Sequence, residues 1–191
     1  MRITLFDYGA GNLHSLAKAL AVDGADVRIS ADPREALRTD VLVLPGVGGF
    51  GPAAERLAQG RKEMASALEG GLPAVGVCLG MQLMFEDSDE GPGKGLGFFR
   101  GRVTRLAARR VPHMGWNQVE GPVPLEAAYF AHSYVCRAES PEDVVGWTEH
   151  EGDRFPSVVR RGRVLGVQFH PEKSSRLGLE LLRGFLREVG R

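Results

Sequence analysis

The chain has 191 residues, is 43% apolar, and carries 24 basic against 24 acidic side chains for a formal net charge of zero. That length and apolar share suit one domain-sized core, and the charge balance points away from a nucleic-acid or membrane surface. Two cysteines, Cys78 and Cys136, are too few for a disulfide framework, and no run approaches the roughly eighteen apolar residues of a membrane span.

Residues 2–6 (RITLF) read as a buried strand, which also separates the opening MRITLFDYG from a secretory leader, so a cytoplasmic location is expected. A Gly-containing turn leads to a helix over about 11–22, a strand at 26–30 and a short helix near 33–38. VLVLPG at 41–46 is an uninterrupted apolar run stopped by Pro and Gly, as in a strand buried on both faces. Residues 52–69 carry apolar positions at helical spacing and end at Gly70-Gly71. PAVGV at 73–77 reads as another buried strand, and LGMQLMF at 79–85 as a helix.

This alternation implies a parallel sheet covered by helices. Short strands at 98–106, 128–135, 144–149, 156–161 and 164–169 suggest antiparallel additions. A last helix follows Ser174-Ser175, a potential N-cap, with the stripe Leu177, Leu181, Leu182, Phe185, Leu186 and Val189 assigned to the core. No repeat or interdomain linker interrupts residues 1–191, so a single domain is expected. The pairs Arg109-Arg110 and Arg160-Arg161 read as solvated charges. Twenty of the 24 basic residues are Arg and Asn occurs twice, a pattern compatible with a thermophile or with GC-rich coding.

The chemistry concentrates at two places. Gly76-Val77-Cys78-Leu79-Gly80 follows a buried strand and opens a helix, the nucleophile-elbow pattern G-x-nucleophile-x-G with Cys in the reactive position. The sharp turn would crowd side chains two residues to either side, hence the glycines. It would present the sulfur at the carboxyl edge of the sheet, where open α/β folds bind ligands, near a helix N-terminus that favours thiolate. It also aims the Leu79 N–H at a developing oxyanion. Cys136, in SYVCRA, has no such setting and reads as a strand cysteine.

A thiol nucleophile needs a base, and His14, His113, His132, His150 and His170 compete. His170 precedes Pro171, which favours extended backbone, and Glu172 follows two residues on, so both side chains would project to one side about 6.5 Å apart. A carboxylate there can hold the imidazole tautomer and stabilise the imidazolium, completing a Cys-His-Glu triad.

GVCLGMQ at 76–82 with GVQFHPEKS at 166–174 resembles the class I, triad-type glutamine amidotransferases. PGVG at 45–48, HMGWN at 113–117 and YFAHSY at 129–134 resemble the branch of that family that makes ammonia for a (β/α)8-barrel cyclase in histidine biosynthesis. The resemblance implies an α/β fold with a mostly parallel central sheet flanked by helices, plus antiparallel strands. It also implies a heterodimer with the cyclase subunit and no metal or cofactor. Cys78 would form a glutamyl thioester, His170 would shuttle the proton, and Glu172 would orient His170. Gly46 and Val47 would join Leu79 as the oxyanion hole, after a peptide reorientation that Gly46 makes inexpensive. Gly46, Gly48, Gln82, Ser133 and Tyr134 would hold glutamine, while Tyr8, Asn12, Trp116, Asn117 and Lys173 would face the cyclase. His132 could equally be a core histidine satisfied by backbone. Alternatives are another pathway's glutaminase, a non-catalytic module on the same fold, or a stand-alone cysteine hydrolase.

Overall fold

Four apolar strands form the centre of a seven-stranded sheet: β1 (Arg2–Phe6), β3 (Val41–Leu44), β4 (Ala74–Val77) and β11 (Val164–Val167). The computed structural model describes residues 1–9, 13–21 and 24–190; Asn12 lies outside them. In the order β2-β1-β3-β4-β11-β10-β9, the strands from β2 (Asp26–Ser30) to β11 run parallel. β10 (Asp153–Arg161) and β9 (Val144–His150) continue the sheet antiparallel.

The period-two geometry of a strand explains the uninterrupted apolar runs. Val41 and Val43 enter one core cluster, while Leu42 and Leu44 enter the other. α1 (His14–Leu20) and α6 (Ser175–Val189) cover the first face through Leu16, Leu20, Leu182, Phe185 and Leu186. α2 (Pro33–Ala36), α3 (Phe50–Ala58), α4 (Arg61–Glu69) and α5 (Leu79–Leu83) cover the second through Ala36, Phe50, Leu57, Met64 and Leu79. Two antiparallel ribbons complete the architecture: β5 (Gly101–Arg105) with β8 (Tyr134–Ala138), and β6 (His113–Gln118) with β7 (Ala127–His132).

Several local expectations change. The helix expected over 52–69 is two helices, α3 and α4, because the chain turns at Gly60 to pass Pro33. A Cβ at Gly60 would stand 2.1 Å from the Pro33 Cβ. The strand expected over 128–135 breaks at Ser133 into β7 and β8, which pair in different ribbons. β6 was not expected as a strand; its burial alternates, but with Trp116 and Met114 among the outward residues. Leu177, assigned to the core stripe, is 39% exposed, since it lies on the first turn of α6, off the buried stripe of Gly178, Leu182, Phe185, Leu186 and Val189. No helix among the described residues is long and apolar enough to cross a membrane.

Candidate active site

The topology makes neighbours of two segments 90 residues apart. β4 and β11 pair in parallel from Val164↔Ala74 to Val167↔Val77, so their carboxyl ends open side by side. Cys78 is the first residue beyond β4, and its N–H donates to the Val167 carbonyl at 2.7 Å. Its backbone has φ 48° and ψ −107°, a strained conformation for a residue with a side chain. The flanking glycines answer the resulting crowding. A Cβ on Gly80 would lie 1.9 Å from the Leu44 carbonyl oxygen, and one on Gly76 would lie 2.7 Å from the Gly80 carbonyl. The elbow expected from the sequence is therefore present, wedged against β3 as well as against itself.

His170 lies three residues beyond the end of β11 and is nearly fully buried. Its Nδ1 meets Glu172 Oε1 at 2.9 Å, leaving Nε2 for the sulfur. The route to this contact differs from an extended i, i+2 pair. Pro171–Lys173 form one 3-10 turn with His170 extended at its start, because a proline is favoured at the first position of such a turn. Ser174 holds this turn in place: its hydroxyl donates to the His170 carbonyl at 2.7 Å and accepts from the Tyr129 N–H at 2.9 Å. Ser174 does precede α6, but its side chain makes no cap bond to that helix. Burial alone would depress the His170 pKa. Hydrogen bonding to Cys78 and Glu172, with the negative charge of both, outweighs it and lifts the value to about 10.

A cleft of about 460 Å³ opens over the sulfur. Gly46, Val47, Gly48, Leu79, Gln82, Ser133, Tyr134 and Lys173 line it together with Cys78 and His170. Gly46 is required by proximity: a Cβ there would stand 3.0 Å from the Cys78 Cβ and 2.8 Å from the Val77 oxygen. Gly48 is required by conformation, at φ 107°. Gln82 is buried, and its Nε2 donates to the Tyr134 carbonyl at 2.9 Å and to Gln168 Oε1 at 3.2 Å.

Two polar residues near the sulfur escaped the sequence reading, Gln168 buried beside it and Glu90 on the cleft wall. Gln168 lies fully buried at the end of β11 with Nε2 3.5 Å from Cys78 Sγ; its position two residues before His170 was the available signal. Glu90 also lines the cleft and accepts the Phe50 N–H at the start of α3 at 2.9 Å. Nothing in its acidic loop marked it.

A second histidine group reaches the cleft wall through His132. His132 Nδ1 donates to the Tyr134 carbonyl at 3.0 Å, so its Nε2 accepts from His113 Nδ1 at 3.1 Å. His113 Nε2 in turn accepts from Asn117 Nδ2 at 3.2 Å, and the His113 ring stacks on His150 at 4.2 Å and Phe130 at 4.8 Å. Burial lowers the His132 pKa to about 3 and the His113 pKa to about 4, with neighbouring histidines adding to both shifts. His132 is thus a buried histidine satisfied in part by backbone.

The residues expected to face a partner divide. Trp116 is 56% exposed, and Lys173 is exposed with Nζ 5.9 Å from the centroid of Tyr129. Tyr8 instead is buried at 3% exposure, packed edge-to-face on Phe6, and burial pushes its phenol well above the ordinary range. Asn117 turns its amide inward: Nδ2 donates to the Glu149 carbonyl as well as to His113, and Oδ1 accepts the Gln118 N–H. Tyr8 is therefore not outward-facing, whereas Asn117 is half-buried on β6 with its amide engaged by neighbours. Cys136 is fully buried opposite Val103, and burial raises its thiol.

Residues 4–189 match the family model described as glutamine amidotransferase class-I. The chain is 44% identical to the imidazole glycerol phosphate synthase subunit HisH of Pyrococcus furiosus, over 97% of this chain and 98% of that protein. It is 43% identical to the subunit of the same name from Thermotoga maritima, covering 95% and 94%. Among solved structures, one described as a glutamine amidotransferase superposes with a TM-score of 0.77 at 22% identity, covering 99% of both chains. PurLQS from Thermotoga maritima gives 0.74 at 18%, covering 98% of both, and these two show the fold.

Proposed function

This chain belongs to the class-I glutamine amidotransferases, and we propose that it is the glutaminase subunit of an imidazole glycerol phosphate synthase, with residues 1–191 as one amidotransferase domain. The convergence of Cys78, His170 and Glu172 at the paired ends of β4 and β11 carries the glutaminase reading. The full-length identity of more than 40% to several HisH subunits supports the pathway.

Cys78 attacks the side-chain amide carbon of glutamine. His170 gives its proton to the departing ammonia, and then removes one from water to hydrolyse the glutamyl thioester. Glu172 holds Nδ1 of His170, so that Nε2 serves the sulfur throughout. The Leu79 N–H, with the Gly46-Val47 segment pressed against the nucleophile, receives the oxyanion. Gly48, Gln82, Ser133 and Tyr134 border the bound glutamine, and Glu90 supplies a carboxylate for its α-ammonium group.

The ammonia goes to a (β/α)8 cyclase subunit bound as a heterodimer, which makes imidazole glycerol phosphate and aminoimidazole carboxamide ribotide. Exposed Lys173, which lines the cleft, and exposed Trp116, which meets the same Tyr129 ring edge-on, contact that subunit. A cytoplasmic location fits this metabolic role. Mixing the chain with a barrel cyclase and following glutamine-dependent product formation tests the assignment. The isolated chain should turn over glutamine weakly and the liganded complex strongly. Cys78→Ala should abolish glutamine use while leaving synthesis from added ammonia intact. Equal turnover by the isolated chain and the complex would refute the coupling.

A further inference from the structure

We propose that Gln168 is a further catalytic residue, one that holds the Cys78 sulfur through an N–H donor; this rests on the reading of the site as a glutaminase. A buried amide could face either way, but its direction is set here by a carbonyl that can only accept. Gln82 must point Nε2 at the Tyr134 oxygen, 2.9 Å away, and the same nitrogen reaches Gln168 Oε1 at 3.2 Å. With its oxygen engaged, Gln168 turns Nε2 to Cys78 Sγ at 3.5 Å, within hydrogen-bonding range for sulfur. The Gln168 backbone is fixed as well, its N–H donating to the Ser157 carbonyl at 2.9 Å. The side chain is fully buried, so it meets the sulfur without competition from bulk water.

The donor matters most when charge returns to sulfur. In thioester hydrolysis His170 takes a proton from water and the water oxygen bonds to the acyl carbon. The C–S bond then breaks with its electron pair staying on Sγ, giving glutamate and a thiolate. The Gln168 N–H is already aimed at that developing charge. In the first half-reaction the thiolate is consumed, and the same bond weakens. Gln168 therefore favours release of the acyl group over its formation, and its loss should leave the thioester standing.

The test uses the chain in complex with its liganded cyclase partner and two variants. Gln168→Met fills the same volume without a donor. Gln168→Glu keeps an oxygen for the Gln82 N–H but presents an oxygen to the sulfur. Both should lower kcat about ten- to hundredfold and lower KM with it, leaving kcat/KM little changed, because only release of the acyl group slows. Both should also accumulate a glutamyl adduct on Cys78, read by mass spectrometry after a rapid acid quench, where the wild type shows little. Wild-type kcat in Gln168→Glu, or a fall in kcat without the adduct, would overturn the role. If Gln168→Met does not fold by circular dichroism, Gln168→Glu decides alone. A wild-type complex that makes no glutamate from glutamine would instead refute the glutaminase reading itself.

Discussion

His170 and His132 line one cleft, are buried to nearly the same degree, and have pKa values displaced in opposite directions, to about 10 and about 3. Burial disfavours the imidazolium in both. His170 has the Cys78 sulfur and a carboxylate as partners, and hydrogen bonding to both with their negative charge overcomes burial. His132 has a carbonyl oxygen and another histidine, which satisfy the neutral ring without favouring its charged form. His113 follows His132, accepting from Asn117 and donating to the next ring. Hydrogen-bond satisfaction and proton affinity are thus separate properties, and only an anionic partner makes a buried histidine basic. The cleft places a proton carrier beside the sulfur, while the neighbouring rings stay neutral and fix the Tyr134 carbonyl that orients Gln82.

The sharpest way to break this contrast is to remove each ring in turn. His170→Asn should lower glutamine-dependent turnover of the complex by about a thousandfold or more, since both half-reactions lose their proton carrier. His132→Gln, which can still donate to the Tyr134 carbonyl, should cost no more than about tenfold. Comparable losses in glutamate-release assays would mean that the neutral group also moves protons. A smaller effect belongs to Glu172. Glu172→Gln should reduce kcat by about a hundredfold or more, because an amide can hold the ring in the wrong tautomer and cannot stabilise its cation. Turnover from added ammonia should be unchanged, and a loss there would point to disrupted partner binding instead.

The elbow and the triad were legible in sequence because their constraints are local. Gly76 and Gly80 lie within two residues of Cys78, and Glu172 lies two from His170, so the pattern shows without a fold. The link between them is not local: the adjacency of β4 and β11 joins residues 90 apart, and only that adjacency brings Gln168 to the sulfur. The parallel core was legible too, since strands buried on both faces leave unbroken apolar runs such as VLVL. The break between α3 and α4 was not, because Gly60 is there to clear Pro33, a tertiary neighbour. The burial of Tyr8 and the engagement of the Asn117 amide were hidden for the same reason, each resting on partners the chain order does not reveal. Ser174 stood at the expected helix start, but its hydroxyl went to the His170 turn.

The same contrast should appear, more weakly, in the pH dependence of stability. For His132 and His113 the folded pKa values, about 3 and about 4, lie below the unfolded value near 6.5. Below pH 6.5 the unfolded chain therefore binds more protons than the folded one, and stability falls as pH falls toward 4. Each ring contributes a slope of up to about 1.4 kcal/mol per pH unit. His170 has the opposite sign: its folded value is raised to about 10, so its contribution is complete below pH 6.5 and is lost as pH rises through 10. Denaturant unfolding at a series of pH values reads both limbs. His132→Gln should flatten the acid limb by about one proton and leave the alkaline limb unchanged, whereas His170→Asn should do the reverse. An acid limb unaltered in His132→Gln would mean that this ring is not held neutral, and the contrast between the charged His170 and the uncharged His132 would fail with it.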